Sequence, residues 1–431
     1  MEVNNFIELE SALANQEPII LLKRSMMATH SFILPPKTKL QGIVQENGAL
    51  PLLMFEHTDG VGVTAENQIQ DLNIQVPSQQ KAIFSAGYVK NLGHFEFKNL
   101  KLNGQFSFIM RKGSQTADLN LDSIHILSSD TRGYLEQPQK YGVNVLQGAL
   151  TVYNFNPSIN SLITLKATNI SIGQTDSPVT GSGVFIAGFG DNGGRVEIEE
   201  LQTNNVYSTG RIPFGVANLI TAAIFIVNGV YAKKVIHLGE TVTYGVNDMV
   251  LDTWGKVDHW LVNGPIISYG PSGIGFVNFG VVKYFESHAP IETYGLGARG
   301  YNQYDGTLEK GLFQAIRTYG NGSVGVQVSR QVGSITIENG IQTQGGVGNS
   351  LVKGVNIELP AYALSVKPGG EITNLTVIGD ISTFGDEVAT IQVENGGVIK
   401  QLNITGEIKA TGKNSQLYDV TDKALLKQLK Q

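Results

Sequence analysis

Glycine recurs at positions 245, 270, 295, 320 and 345, four successive intervals of 25 residues, closing related heptapeptides such as "GPIISYG", "APIETYG" and "QAIRTYG". Such a period limits the fold more than any other feature of the chain, because stacked repeats share one continuous core instead of forming separate domains. Four residues before each glycine stand Thr241, Ile266, Ile291, Ile316 and Ile341, and two before it Thr243, Ser268, Thr293, Thr318 and Thr343. Directly before it come Tyr244, Tyr269, Tyr294, Tyr319 and Gln344. The order apolar, variable, small polar, aromatic has the period of two of a strand, so the isoleucines are expected to point inward. A second apolar column, Leu251, Phe276, Tyr301, Val326 and Leu351, follows six residues after each glycine. A third apolar run such as "VVKYF" (281–285) or "SITI" (334–337) completes the unit.

Three short strands in 25 residues are too few residues for a propeller blade and lack the Leu/Asn pattern of a leucine-rich repeat. They fit one coil of a parallel β-helix, in which each strand stacks on the one below. The predicted fold is therefore an all-β, single-stranded parallel β-helix forming one domain over 1–431. Solenoids need covered ends. Residues 4–16, "NNFIELESALANQ", read as a short amphipathic capping helix, and 420–431, "VTDKALLKQLKQ", as a second one with Thr421 as N-cap. Residues 17–419 between them allow about 16 coils at this period, the most regular spanning 241–345. The next matching glycines are Gly385 and Gly412, so residues 346–370 are expected to bulge as a surface loop. Residues 128–142, polar and turn-rich, are expected to form a long loop over one face.

A net charge of -6 argues against nucleic acid and against a general attraction to anionic membranes. With no cysteine there are no disulfides, thiolate metal sites or thiol nucleophiles. The seven histidines show no metal-ligand spacing. The glycine-rich "GFGDNGG" (188–194) offers one acid, Asp191, and reads as a plain loop, so no metal and no other cofactor is expected. Residues 213–232, "PFGVANLITAAIFIVNGVYA", are uncharged and long enough to span a bilayer. Gly215, Asn218, Asn228, Gly229 and the β-branched content favour two buried strands with a turn instead. The N-terminus has no basic region followed by a long apolar one, so no signal peptide is read there and the compartment is left open.

The helix "FIELESALA", the strand "PIILLK" and "FILPPKTKLQGI" (32–43), followed by 25-residue coils, resemble the right-handed parallel β-helix proteins of the pectate-lyase-like superfamily. The resemblance implies a right-handed helix and raises the expectation of carbohydrate, since members include polysaccharide lyases, glycoside hydrolases, fructotransferases, epimerases, tailspikes and adhesins. It does not choose a reaction. The polygalacturonase-like aspartate pair and the "WIDH" element are absent, and "GHF" at 93–95 does not match Gly-His-Gly. "YGVND" (244–248) is partly similar to a mannuronan-epimerase motif, but Asn247 stands in place of its aspartate and no Pro-His follows.

Placement on the coils supplies the candidate site. Asp248 and Asp252 are the expected acid and base/nucleophile pair of glycosidic chemistry, one carboxyl raised in pKa and one ionised. Arg299 falls in a column otherwise holding Met249, Ile274, Val324 and Asn349, where it would anchor substrate or keep a carboxylate charged. Asn302 occupies the Asp252 position two coils on, with Asp305, Tyr301 and Tyr304 close by. Tyr244, Tyr269, Tyr294 and Tyr319 form an outward ladder that serves as a sugar platform, an oligomer interface or a self-stacking corner. Glu292 and Arg317, at equal offsets on neighbouring coils, are expected to pair. The bland alternative makes Asp248 a loop-capping residue and Arg299 a surface ion pair, both solvated.

From 245 to 330 seven acids face six bases (Asp248, Asp252, Asp258, Glu286, Glu292, Asp305, Glu309 against Lys256, Lys283, Arg299, Lys310, Arg317, Arg330), a balance that suits a neutral glycan better than a uronate. Cleavage or transfer of glycosidic bonds is the leading expectation. The competing one is a non-catalytic adhesin-like or tailspike-like protein that binds a glycan or another protein. A homo-oligomer, trimers included, fits either.

Overall fold

The structure, a computed structural model, describes residues 1–352 and 355–429, and it is a single-stranded parallel β-helix with two short terminal helices. It divides into two compact units. One comprises residues 1–138, 146–208 and 227–233, and the other 139–145, 209–226 and the chain from 234 onward.

The first unit opens with the helix Phe6–Ala14, whose N-cap Asn5 accepts the Glu8 N–H at 3.0 Å while the Glu8 carboxylate reaches back to the Asn4 N–H at 2.8 Å. This reciprocal cap satisfies donors that a helix start leaves open. Phe6, Leu9 and Ala12 are the buried face. Long strands then stack in parallel, among them Gln68–Gln75, Asn91–Asn103, Thr116–Ser128 and Leu162–Ile172. Each contains one non-glycine residue with positive φ, and these residues fall in register: Asp71 (55°), Asn99 (51°), Ser123 (61°) and Asn169 (56°). Asp and Asn tolerate the left-handed region, and here their side chains also bond along the column. Asn99 Nδ2 donates to Asp71 Oδ1 at 2.8 Å and Asn169 Nδ2 to Ser123 Oγ at 2.9 Å.

The second unit holds the regular coils. Ile266, Ile291, Ile316, Ile341 and Ile381 stack in one fully buried column, as the alternation predicts. Beside it Ser268, Thr293, Thr318, Thr343 and Thr383 are also fully buried. Two of these hydroxyls donate to loop carbonyls, Thr318 to Ser323 at 2.8 Å and Thr343 to Ala361 at 2.7 Å, which lowers the cost of burying them. The repeating glycine has a steric cause. A Cβ on Gly270 would stand 1.7 Å from the Gly245 carbonyl oxygen, one on Gly295 1.9 Å from that of Gly270, and one on Gly345 1.9 Å from that of Gly320. Coils can stack at strand spacing there only if the side chain is absent. Within the coils Trp260, Phe276, Phe285, Tyr301 and Phe313 form an aromatic core, Phe276 lying flat on Phe285 at 4.1 Å. Trp260 Nε1 donates to His237 Nε2 at 2.8 Å, and burial pushes that imidazole down to about 3, keeping it a neutral acceptor.

Four expectations need correction. Residues 346–370 are not a simple loop: Val347–Val352 and Val355–Pro360 pair as an antiparallel hairpin. Because the hairpin is inserted there, Leu364 and not Leu351 follows Val326 in the second apolar column, and the Leu351 side chain lies outside the described residues. The C-terminal helix is Lys423–Leu429, with Asp422 Oδ1 accepting the Ala424 N–H at 2.7 Å, so Asp422 and not Thr421 caps it. Residues 430 and 431 of the expected helix lie outside the described residues. The stretch 128–142 is irregular only in part, since Gln139–Lys140 and Val143–Val145 pair as a small antiparallel hairpin. Residues 213–232 contribute the strand Leu219–Ile226 and the start of Val230–His237. Among the described residues no helix is long and apolar enough to cross a membrane.

Candidate functional site

The strand Asp248–Thr253 belongs to the sheet that continues through Ile274–Asn278, Arg299–Gln303 and Val324–Val328. Register sets Met249, Ile274, Arg299 and Val324 in one row and Asp252, Val277, Asn302 and Gln327 in another. Asp248, Asp252, Arg299 and Asn302 are all fully buried, so neither an open groove nor solvated turns describe them. Neighbouring segments provide cover. Tyr141, Val143, Ala217 and Ile220 close over Met249 and Asp252, and Ser350 of the 347–360 hairpin donates to the Gly297 carbonyl at 2.9 Å.

Asp248 is a structural clasp. Its carboxylate accepts the Gly210 N–H (3.1 and 3.0 Å), the Gly245 N–H (2.7 Å) and the Thr221 hydroxyl (2.6 Å). Glycine is needed at both backbone donors, because a Cβ on Gly210 or Gly245 would come within 2.7 or 2.5 Å of the carboxylate oxygens. Burial pushes the Asp248 pKa up to about 6, against the opposing pull of Thr221, Gly210 and Gly245.

Asp252 is different. Both its oxygens lack a hydrogen bond among the described residues, as does the Trp254 indole N–H. Burial holds its pKa well above the usual carboxylate range, while Trp254 pulls it down, so the indole N–H lies near the carboxyl without ordinary hydrogen-bond geometry. The two share a pocket of about 60 Å³ with Tyr141, Met249, Ile274, Val277, Phe279 and Tyr304. Asp248 is not on its wall. Four residues of extended strand separate the two aspartates by about 13 Å between Cα atoms, and their carboxyls serve separate surroundings.

Arg299 reaches Gln327 Oε1 and the Gly297 carbonyl, each at 3.4 Å. Asn302 has neither amide atom hydrogen-bonded among the described residues. Its place two coils from Asp252 sets the two about 10 Å apart. Asp305 is half-buried and meets Arg330 at 3.3 Å. Tyr301 belongs to the core, its hydroxyl donating to Gln303 Oε1 at 2.6 Å.

The tyrosine column stacks as expected, with ring centroids 5.6 Å apart for Tyr244–Tyr269, 5.1 Å for Tyr269–Tyr294 and 4.5 Å for Tyr294–Tyr319. The last three are 46%, 39% and 37% exposed. Since each ring covers its neighbour's face, solvent meets edges and hydroxyls. Tyr294 donates to Glu292 Oε2 at 3.2 Å, and burial together with the Glu292 charge pushes its phenol up to about 12. Glu292 and Arg317 pair at 3.4 Å, as their offsets predict.

Sequence reasoning missed a second aromatic column. Trp254, Phe279 and Tyr304 stand nine residues after successive glycines, and Phe279 lies flat on Tyr304 at 5.0 Å. The same 25-residue interval would have found it. Tyr141, which lies flat on Phe279 at 4.4 Å, has no such signal. Compared with family models, curated proteins and solved structures, the chain matches none.

Proposed function

We propose that the chain is a carbohydrate-binding parallel β-helix of the pectate-lyase-like kind, and that it binds a neutral glycan without cleaving it. The observation that carries this reading is the exposed tyrosine ladder beside a sequestered pair of aspartates. Phenol rings stacked with centroids 4.5–5.6 Å apart along the coils, their hydroxyls at the ring edges and flanked by the Glu292–Arg317 pair, form a row of donors and acceptors for a polyhydroxylated chain. Glycosidic cleavage needs two carboxyls about 5–9.5 Å apart across the bond. Asp248 is committed to three donors, and the pocket at Asp252 is less than half the about 150 Å³ that admits benzene.

Affinity electrophoresis in gels containing neutral and acidic glycans, followed by mass spectrometry of the glycan, tests this. Wild type and Asp248→Asn are expected to be retarded by a neutral glycan, with the Tyr269→Ala/Tyr294→Ala double variant binding about tenfold more weakly. New glycan products from wild type that Asp252→Asn fails to make would overturn the non-catalytic reading.

A further inference from the structure

The pocket at Asp252 has a wall chemistry that selects its ligand. Tyr141, Phe279 and Tyr304 lie flat on one another in sequence, at 4.4 and 5.0 Å, and Lys140 Nζ sits 5.1 Å from the Tyr141 ring. Their negative faces are therefore engaged, and the stack has its edges left to offer, which carry partial positive charge. Trp254 stands across Tyr141 at 84°. A cation is disfavoured by such walls, whereas an acceptor oxygen is favoured. The two polar groups without hydrogen bonds among the described residues are a donor, the Trp254 indole N–H, and a carboxyl, Asp252, both buried. The rest of this wall is mostly ring and methyl. A ligand that fits must be neutral and small, with a carbonyl next to an N–H and an apolar end for Met249, Ile274 and Val277. Ser272 also lines the pocket, three residues beyond Tyr269 of the exposed ladder, so the two surfaces share one corner of the coil.

We propose that this pocket takes the acetamido group of an N-acetylated sugar, its carbonyl on the Trp254 indole N–H, its N–H on the Asp252 carboxyl and its methyl against Met249, Ile274 and Val277. The sugar half of the proposal rests on the glycan-binding reading above; the acetamido half does not. About 60 Å³ suits a group of four heavy atoms and excludes a pyranose ring, which stays outside on the tyrosine edge. Burial raises the Asp252 carboxyl well above its ordinary range, consistent with a neutral site for a neutral ligand.

The chain has two tryptophans, so its indole N–H region holds two NMR signals, one bonded to His237 and one in the pocket, assigned with Trp254→Phe. Titration with acetamide is expected to shift the Trp254 signal saturably at about millimolar concentrations or above and leave Trp260 unmoved. Oligomers of N-acetylglucosamine are expected to do so at least about tenfold more tightly than acetamide, with glucose oligomers leaving Trp254 in place. Asp252→Leu is expected to weaken the acetamide response at least about tenfold, its fold verified by an unchanged Trp260 signal. A silent Trp254 signal with acetamide, or an equal response to methylammonium, overturns the pocket assignment whatever the glycan result. A response to acetamide but not to the N-acetylated oligomers overturns the sugar half alone.

Discussion

A missing methyl group sets the spacing between coils at Gly295, where a Cβ would meet the Gly270 carbonyl oxygen at 1.9 Å. Gly295→Ala must push two backbones apart, and a loss on the order of 3 kcal/mol is expected in urea denaturation. Gly133→Ala, with nothing within 4 Å of its Cβ, is the control and should stay within about 0.5 kcal/mol of wild type. Asp248 leaves a different signature. Its folded-state pKa of about 6 exceeds the unfolded value near 3.8, so the native state holds the proton more tightly between those values. The contribution is fully present below about pH 4 and is lost as pH rises through about 6, on the order of 3 kcal/mol. Denaturation midpoints measured from pH 4 to 7 should fall less steeply in Asp248→Asn than in wild type. The glycine column was visible in the sequence because it recurs at a fixed interval. The clasp at Asp248 was not, since Gly210 and Thr221 lie 38 and 27 residues away and follow no repeat.

Among elements, the regular strands were legible and the covering segments were not. The columns at Ile266 and Phe276 follow from alternation, but nothing periodic announces that Tyr141 and Ser350 come down over Asp252 and Gly297. Arg299 thus looked like an exposed cation when it is buried under the hairpin side of the sheet. The early coils hid their repeat for a related reason. Their corner is an Asp, Asn or Ser in left-handed conformation at 71, 99, 123 and 169, with unequal intervals and no shared residue type. The 347–360 hairpin is an addition to its coil, not a part of it. Removing residues 348–360 places Leu364 six residues after Gly345, the offset of Phe276 after Gly270. The shortened protein is expected to keep its β circular dichroism and lose stability by about 1–2 kcal/mol through loss of the Ser350 bond to the Gly297 carbonyl and of the cover over that turn. Loss of the β signal would mean that the hairpin is needed for folding.

At the scale of the whole molecule, coils contact chiefly their neighbours, so a coil's stability depends on having one on each side. In the second unit, Ile381 is fully buried between Ile341 and Ile408, while Ile408, in the last of these strands, is only half-buried. Ile381→Ala is expected to cost about 2–5 kcal/mol and Ile408→Ala under half as much. Hydrogen exchange should show protection falling from the strand at 381–383 to that at 408–410. The β-helix itself was readable from four intervals of 25 residues; the pocket was not, because it is made where neighbouring segments meet the coils. The contact between each repeating glycine and the carbonyl before it has one more consequence. Where that contact repeats, length is counted in coils: residues enter as an entire coil, or hang off the stack as the 347–360 hairpin does.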